Sequence, residues 1–328
     1  MKIDLKIIHF FISFLTLSIT ISLPSISQAQ DSSKTTKIVV PFVPGGSTDI
    51  LGRIIAEKLS TSLKQPVIVE NRPGAGGTVG SQFVAKSTPD GSTLLLTSVT
   101  TAAIAYTLYP NLQYDSKKDF EPVAVIGSIP LVLLVSNKLP IKTLDDLIAY
   151  AKNNPGKLTF GSAGNGTSPH LAGELFKKMA NINIVHVPYK GNSPALNDLM
   201  GGHLNMMFDF LPSSVQLIKA NKVNAIAITS PKRAALLPNV PTMSESGLKD
   251  YIVLSYFGIF APAKTPKPTV VNLNSIINQI TTASENKEKF YDAGIDPAAE
   301  SIQWFTDYLS SEIDRWAKVI KESNVKAE

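Results

Sequence analysis

Short apolar segments alternate with helix-like segments along most of this chain, and that alternation restricts the possible folds more than any other feature. The strand-like segments are 38–43, 66–70, 93–97, 132–135, 158–161, 184–188, 206–210 and 224–229. The helix-like segments are 49–63, 79–86, 144–152, 169–179 and 193–200. Short strands separated by helices predict an α/β architecture with largely parallel sheets.

The strand-like segments form two sets, one before about residue 125 and one around residues 130–228, with no long linker between them. A chain that enters a second lobe and then returns leaves a cleft between the lobes, where small ligands bind and hinge closure occurs. We therefore predict a discontinuous first lobe of residues 30–125 and 229–328 and a second lobe of residues 126–228. The proline-rich segment 262–268 is interpreted as a rigid crossing piece.

The N-terminus predicts export. Lys2 and Lys6 precede a mostly apolar stretch at 7–23, and Ser27-Gln28-Ala29 places small residues at the −3 and −1 positions of a cleavage site. This pattern is typical of a signal peptide at residues 1–29, cleaved near Ala29, and it predicts a periplasmic protein. The alternative is an uncleaved membrane anchor, which the small-residue site disfavours.

Composition narrows the function. The chain has no cysteine, so a disulfide-stapled domain and a lipoprotein anchor are both excluded. The net charge is +5, but the basic residues are scattered and are not interleaved with aromatic residues. No nucleic-acid partner is therefore expected. Separately, we expect the protein to be a monomer.

The segment 41–49 joins a strand to a helix through two glycines. The free backbone N–H groups and the dipole at a helix N-terminus favour anions, and Gly45 and Gly46 let a ligand approach the backbone. The alternative is an ordinary turn with good capping residues. The candidate ligand residues are Pro44, Gly45, Gly46, Ser47, Thr48 and Asp49.

A second strand–turn–helix loop follows the segment 158–161. Thr167 or Ser168 is a natural N-cap there, and Pro169 suits the first turn of a helix. His170 could contact a ligand or could simply cap and pack. The candidates in this loop are Gly164, Asn165, Gly166, Thr167, Ser168 and His170. Ser98 and Thr100, just past the segment 93–97, could line the edge of the same cleft.

A third turn contains Tyr189, Lys190 and Gly191. Tyr189 could stack on a ligand, and Lys190 could pair with an anionic group or remain a solvated turn lysine. Asp209 lies inside an apolar segment, and a buried carboxylate needs a partner. That partner could be a set of backbone N–H groups from a neighbouring loop or the ammonium group of a ligand, although a structural role is favoured.

Signatures of catalysis and of cofactor binding are missing from the sequence. The glycine-rich segment 74–80 has Val79 where a dinucleotide fingerprint needs glycine, so no cofactor is expected. There is no Gly-x-Ser-x-Gly motif, and no metal-ligand spacing is present. The sequence therefore predicts a binding protein and not an enzyme. The alternatives are a periplasmic ligand sensor and a secreted hydrolase or isomerase that uses Asp49 or His170.

Several segments together resemble the Bug family, the extracytoplasmic solute receptors of tripartite tricarboxylate transporters. The similar segments are 40–49, 70–77, 161–170, 186–195, 207–209 and 261–266. The resemblance implies a two-lobe type II periplasmic binding fold with the ligand in the cleft. It implies a small carboxylate ligand, such as an amino acid, a di- or tricarboxylate or an aromatic acid, held by residues 44–48 and 164–170. It also implies integral membrane permease subunits as partners.

Overall fold

The computed structural model describes residues 35–323 and residue 325; the predicted signal peptide and the cleavage site near Ala29 lie outside the described residues. The strands are β1 (Thr36–Val40), β2 (Val67–Asn71), β3 (Thr93–Ser98), β4 (Phe120–Val135), β5 (Thr159–Ser162), β6 (Val185–Pro188), β7 (Met206–Phe210), β8 (Asn224–Ile228), β9 (Leu254–Pro262) and β10 (Asp296–Pro297).

The helices alternate with these strands over most of the chain. They are α1 (Ser47–Leu63), α2 (Thr78–Ala85), α3 (Val99–Leu108), α4 (Leu144–Asn153), α5 (Ser168–Ala180), α6 (Asn192–Gly201), α7 (Leu211–Lys219), α8 (Lys267–Thr282), α9 (Ser284–Asp292) and α10 (Ile302–Ser323). Among the described helices, none has the length and apolar character needed to cross a membrane.

The strands pair in the order β2-β1-β3-β9-β4-β7-β5-β6, with β8 and β10 also pairing with β4. Pairing is parallel within β2-β1-β3 and within β7-β5-β6, and antiparallel wherever β4 or β9 takes part. The predicted α/β architecture is confirmed, but parallel pairing is confined to these two groups. Each parallel group has helices packed on it, as a buried sheet requires.

Strand β4 belongs to both halves of the sheet. Its residues up to Pro130 pair with β9, and its residues from Leu131 onward pair with β7 and β8. We refer to the part built on β1, β2, β3 and β9 as the first lobe and to the part built on β5 to β8 as the second lobe. The predicted lobe boundaries, after residues 125 and 228, fall inside β4 and at the end of β8, and they stay predictions.

The apolar pattern predicts only residues 132–135 of β4. The first part of the strand was missed because Pro122, Gly127 and Pro130 interrupt it in the sequence. In the structure, register shifts between Pro122 and Ala124 and between Val125 and Gly127 accommodate Pro122 and Gly127, and Pro130 pairs with Leu254 at the end of the ladder with β9. Irregular pairing of this kind bends a strand locally while the ladder continues.

A second connection between the lobes lies directly beside β4. The hydroxyl of Thr229 accepts a hydrogen bond from the N–H of Leu131 at 2.9 Å and donates to the carbonyl of Val253 at 2.6 Å. The Val253 N–H in turn donates to the carbonyl of Thr229. Thr229 is completely buried and ties the outgoing and returning chain segments together.

The interpretation of residues 262–268 as a crossing piece is wrong. Both β9, which ends at Pro262, and α8, which begins at Lys267, belong to the first lobe. The prolines end a strand and start a helix there, since proline cannot donate to a ladder but suits the first turn of a helix. Helices α3, α7, α8 and α9 and strands β9 and β10 were also not predicted from the sequence.

Candidate functional site

The turn before α1 is held in place by Asp49. Its carboxylate accepts hydrogen bonds from the N–H of Gly45 at 3.0 Å, from the side chain of Asn71 at 3.0 Å and from two nitrogens of Arg53. Burial is the largest single influence and raises the pKa of Asp49, but the hydrogen bonds, with Arg53 foremost, lower it overall. These donors occupy both oxygens of the carboxylate. The role of Asp49 is therefore to hold the turn at Gly45 against β2 and α1.

The N-terminus of α1 faces the second lobe. The Ser47 hydroxyl lies 2.8 Å from the Ser213 hydroxyl and donates to the carbonyl of Phe210 at 3.2 Å. The Ser193 hydroxyl donates to the carbonyl of Pro44 at 2.9 Å. Ser193 lies in the first turn of α6 and Ser213 in the first turn of α7. The start of α1 therefore meets the starts of two helices from the opposite lobe.

Asp209 links the start of α6 to the start of α7 through hydrogen bonds. It is completely buried, and its carboxylate accepts hydrogen bonds from the side-chain amide of Asn192 and, at 2.5 Å, from the Ser213 hydroxyl. Burial raises the pKa of Asp209 to about 6, against the lowering effect of these two donors. The sequence left open a set of backbone N–H groups from a neighbouring loop or a ligand ammonium. The principal partners are the side chains of Asn192 and Ser213, and the backbone of Phe210 and the side chain of Ser214 also lower the pKa of Asp209.

A second pair of helix starts meets across the lobes. The hydroxyls of Ser98 and Ser168 lie 3.0 Å apart, and the N–H of Ser168 donates to the Thr101 hydroxyl at 3.3 Å. Ser98 also caps α3, because its hydroxyl accepts from the N–H of Thr101 at 3.0 Å. All three residues are buried. Helix α3 of the first lobe thus faces α5 of the second.

The loop before α5 is shaped by a neutral histidine. The N–H of Gly166 donates to Nδ1 of His170 at 3.1 Å, and the His170 ring stacks on His186 with 3.9 Å between ring centroids. The Ser162 hydroxyl lies 2.7 Å from Nε2 of His186. Burial lowers the pKa of His170 to about 4 and that of His186 to about 3. Both rings are neutral at pH 7, so Nδ1 of His170 is free to accept.

The hydrogen bonds across the two lobes form a consistent chemical pattern. Helices α1 and α3 of the first lobe and α5, α6 and α7 of the second direct their N-termini to the region where the lobes face each other. The donors there are backbone N–H groups and hydroxyls, which can bind an anion without a formal positive charge. Among residues 35–323 and 325, no cluster of histidine and acidic side chains could hold a metal ion.

A model of the TctC family, described as the tripartite tricarboxylate transporter family receptor, matches residues 51–325. The chain belongs to this family. Similar solved structures include Rpa4515 of R. palustris with adipate (36% identity, 89% of this chain and 98% of that chain, TM-score 0.87). The periplasmic binding protein BugD is also similar, with 33% identity over 90% of this chain and 99% of that chain and a TM-score of 0.85. MatC of Rhodopseudomonas palustris with bound malate has 32% identity over 87% of this chain and 98% of that chain and a TM-score of 0.83.

These likenesses confirm the Bug-family resemblance seen in the sequence and the two-lobe fold that it implied. Members of the family are solute-binding receptors. Most of the predicted ligand residues lie where the two lobes face each other, and their binding roles stay predictions.

Four of the predicted ligand residues differ from the rest in their surroundings. The Thr100 hydroxyl donates to Glu312 of α10 at 2.6 Å, so it is directed away from the facing loops. Tyr189 donates through its hydroxyl to Asp198 at 2.7 Å. Lys190 is exposed, and Gly191 packs its backbone against Val43. The ligand-binding roles of these residues stay predictions.

Sequence reasoning missed residues that only the tertiary arrangement brings to the site. Ser213 lies in an unpredicted helix, and Tyr109, whose hydroxyl donates to the carbonyl of Asn165 at 2.8 Å, ends another. Ser193 donates to the carbonyl of Pro44 in the other lobe. No local pattern distinguishes these residues, because each partner lies far away in the chain.

Proposed function

We propose that this receptor captures a small carboxylate between its lobes and delivers it to the integral membrane permease subunits of a tripartite tricarboxylate transporter. The observation that carries the proposal is the meeting of helix N-termini from opposite lobes, at Ser47 with Ser213 and at Ser98 with Ser168. The similar proteins with adipate and with malate support a carboxylate as the ligand class.

The energetics of such a site favour an anion. Each helix N-terminus contributes roughly 0.3–1 kcal/mol to the binding of a negative charge, and more where water is excluded. Because Gly45 and Gly46 have no side chains, a ligand can approach the backbone at the start of α1, although the N–H of Gly45 itself is donated to Asp49. The serine hydroxyls can donate in several directions. We therefore assign the main grip on the carboxylate to residues 44–48 and 164–168, with Ser98 between them.

Closure of the lobes is the proposed working motion. The two connecting segments run side by side at Thr229, which restricts the relative motion of the lobes to a hinge at that point. A carboxylate that contacts both sets of helix starts stabilises the closed arrangement, because it binds that arrangement better than the open one. The closed receptor, a monomer in the periplasm after cleavage near Ala29, then docks on the permease.

The environments of Asp49 and His170 support binding over catalysis. Asp49 is occupied by Arg53 and Asn71, and Nδ1 of His170 is occupied by the N–H of Gly166. A hydrolase or isomerase would need one of these groups to be available to a substrate. A receptor that reports its ligand to a signalling partner would have the same site, so binding itself is tested first.

The test is calorimetric titration of residues 30–328, unfolded and refolded to remove retained ligand, against carboxylates, amino acids and aromatic acids. We expect binding that is confined to compounds with a carboxylate. A ligand at a hundredfold excess over its dissociation constant should also stabilise the protein by about 2.7 kcal/mol. Absence of binding by every carboxylate, or conversion of the bound acid to a product, would contradict the proposal.

A further inference from the structure

A cavity of about 440 Å³ lies beside the connection between the lobes at Thr229. We refer to it as the hinge cavity. Its lining includes Pro130, Ser230 and Leu254, the chain neighbours of the three hydrogen-bonded residues that tie the two connecting segments together. None of the residues assigned above to the carboxylate grip is among the described lining residues, so the hinge cavity is a separate site.

Both lobes contribute walls to the hinge cavity. Leu254 of β9 and residues 294–296, which lead into β10, come from the first lobe. Leu211, the first residue of α7, and residues 230–236, which follow β8, come from the second lobe. A Cβ atom on Gly294 would come within 2.9 Å of the Leu211 side chain, so the lobes touch directly in this lining. An occupant therefore contacts both lobes at once.

The lining is largely apolar, as is usual for sites that hold small molecules. Apolar side chains form most of the wall, among them Leu211, Leu236 and Leu254. Tyr291 also lines the cavity, and 47% of its surface is exposed. An aromatic or aliphatic group that binds beside this ring removes apolar surface from water. The cavity volume also falls within the range of about 300–1,000 Å³ that is common for such sites.

One polar side chain in the wall is buried without a partner. Ser128 is 8% exposed, and both Ser128 and Pro130, which lie two residues apart on the same face of β4, line the cavity. The backbone of Ser128 pairs with β9 and β10, but its hydroxyl makes no hydrogen bond to any described residue. A buried hydroxyl without a partner costs free energy, and a polar group on an occupant would remove that cost.

Two opposite charges in the wall also lack partners. Lys232 comes from the second lobe and Asp296 from the first, and neither forms an ion pair within the described part of the chain. Arg233, the third charged residue of the described lining, is already paired with Glu245 at 2.9 Å. A molecule with one positive and one negative group can pair with both free charges, and it then connects the two lobes.

We propose that the hinge cavity binds a second small molecule, a zwitterion with an apolar or aromatic body, of which an apolar α-amino acid is the simplest example. Its acidic group pairs with Lys232 and its ammonium group with Asp296. A polar atom bonds the Ser128 hydroxyl, and the body covers the ring of Tyr291. Because the molecule contacts both lobes as they lie here, it favours this arrangement over one in which they separate.

The experiment compares phenylalanine with two analogues that each lack one charge: phenylalaninamide has no carboxylate, and N-acetylphenylalanine has no ammonium group. Titration calorimetry of the refolded chain, with excess adipate to occupy the proposed carboxylate site, gives three dissociation constants. We expect phenylalanine to bind more tightly than either analogue. Lys232→Met should weaken phenylalanine binding about two- to fivefold and leave phenylalaninamide unchanged. Asp296→Asn should weaken phenylalanine binding by a similar factor and leave N-acetylphenylalanine unchanged.

Two matched controls remove the same charges elsewhere. Lys222→Met and Asp314→Asn replace residues that are exposed and do not belong to the described lining, so both variants should bind phenylalanine as the wild type does. Ser128→Ala separates binding from folding. It should weaken phenylalanine binding without lowering the free energy of unfolding, because the hydroxyl has no hydrogen bond in the described protein to lose.

The outcomes separate this inference from the proposed function. If phenylalanine does not bind, or if it binds Lys232→Met and Asp296→Asn as tightly as it binds the control variants, the inference is overturned. The proposed function then stands as long as another carboxylate binds the refolded wild type. If phenylalanine is the only acid that binds, and both cavity variants weaken it, the inference stands and the proposed function fails.

Discussion

The hydroxyl oxygens of Ser98 and Ser168 lie 3.0 Å apart, although 70 positions separate the two residues in the chain and they belong to different lobes. Each residue stands at the start of a helix, α3 for Ser98 and α5 for Ser168. Their contact joins two electropositive helix ends, an arrangement that a bound anion would stabilise.

Ser98→Ala should affect both stability and ligand affinity. Loss of the cap on α3 should lower the free energy of unfolding by about 1 kcal/mol, since alanine cannot accept from the N–H of Thr101. Affinity should fall as well, because the hydroxyl beside Ser168 is lost. Urea unfolding and titration calorimetry measure the two effects.

Thr143→Ala is the control for that variant, because Thr143 caps α4 outside the contacts between the lobes. It should lower stability by a similar amount without weakening binding. Equal losses of affinity in the two variants would show that the effect of Ser98→Ala is a general consequence of lower stability.

Gly46→Val should weaken carboxylate binding at least tenfold, or by about 1.4 kcal/mol. The backbone of Gly46 is extended, with φ −83° and ψ 168°, so valine is tolerated there and the fold should persist. A Cβ atom at Gly46 would lie 3.7 Å from Cβ of Asn192, and the additional methyl groups would enter the space between α1 and α6. Calorimetry and thermal unfolding test both statements.

Gly46→Ala provides a graded comparison, because a single methyl group makes only an ordinary contact with Asn192. Its loss of affinity should be smaller than that of Gly46→Val. Wild-type affinity in the valine variant would exclude the turn before α1 as a ligand contact.

Acid should destabilise the protein through His170. Burial lowers the pKa of His170 in the folded state to about 4 from its ordinary value of 6.5, so the unfolded chain binds more protons between those values. The stability that the neutral His170 contributes is therefore fully present above about pH 6.5 and is lost as the pH falls toward 4. The contribution of this histidine between pH 7 and pH 5 should be on the order of 1–2 kcal/mol, measured by urea unfolding at both pH values.

The variant His170→Asn isolates this effect. Asparagine can place an acceptor oxygen near the N–H of Gly166 but does not titrate. The decrease in the free energy of unfolding between pH 7 and pH 5 should therefore be smaller in this variant. Asp209 acts in the opposite sense, because burial raises its pKa to about 6 and its protonation in acid favours the folded state. An unchanged pH dependence in His170→Asn would show that the His170 ring already titrates normally.

Thr229→Val should lower the free energy of unfolding by about 1–3 kcal/mol. Valine has the same shape as threonine but leaves the buried N–H of Leu131 without its acceptor and the carbonyl of Val253 without its donor. Thr229→Ser keeps the hydroxyl and should lose less stability. Chemical denaturation of the three proteins checks the order, and a valine variant as stable as the serine variant would contradict it.

Local signals predicted the elements whose chemistry is contained in a few neighbouring residues. The two glycines before Ser47 are an example, because the turn that they predict directly precedes α1. The ion pair between Asp49 and Arg53 is of the same local kind, since the two residues are four positions apart in one helix. Apolar residues also recur at steps of three and four near the C-terminus, a spacing typical of a helix, and they form a buried face of α10: Phe305, Leu309, Ile313, Trp316 and Ile320.

Features set by distant partners could not be predicted in this way. Helix α7 has Pro212 near its start and follows a strand directly, so its sequence resembles the end of an apolar segment. The contact of Ser193 with Pro44 and that of Tyr109 with Asn165 depend on how the lobes face each other. The strand–turn–helix loops were predicted from the sequence, whereas their partners in the opposite lobe were not.

The hydrogen bonds between Thr229, Leu131 and Val253 also bear on how receptors of this kind can be re-engineered. Because Leu131 and Thr229 are hydrogen-bonded to each other, the segment between them begins and ends at adjacent points. A module with adjacent ends can be excised and replaced by the equivalent module of a relative without a new linker. Recombination at these two positions offers a route to hybrid receptors in which half of the binding surface is exchanged in one step.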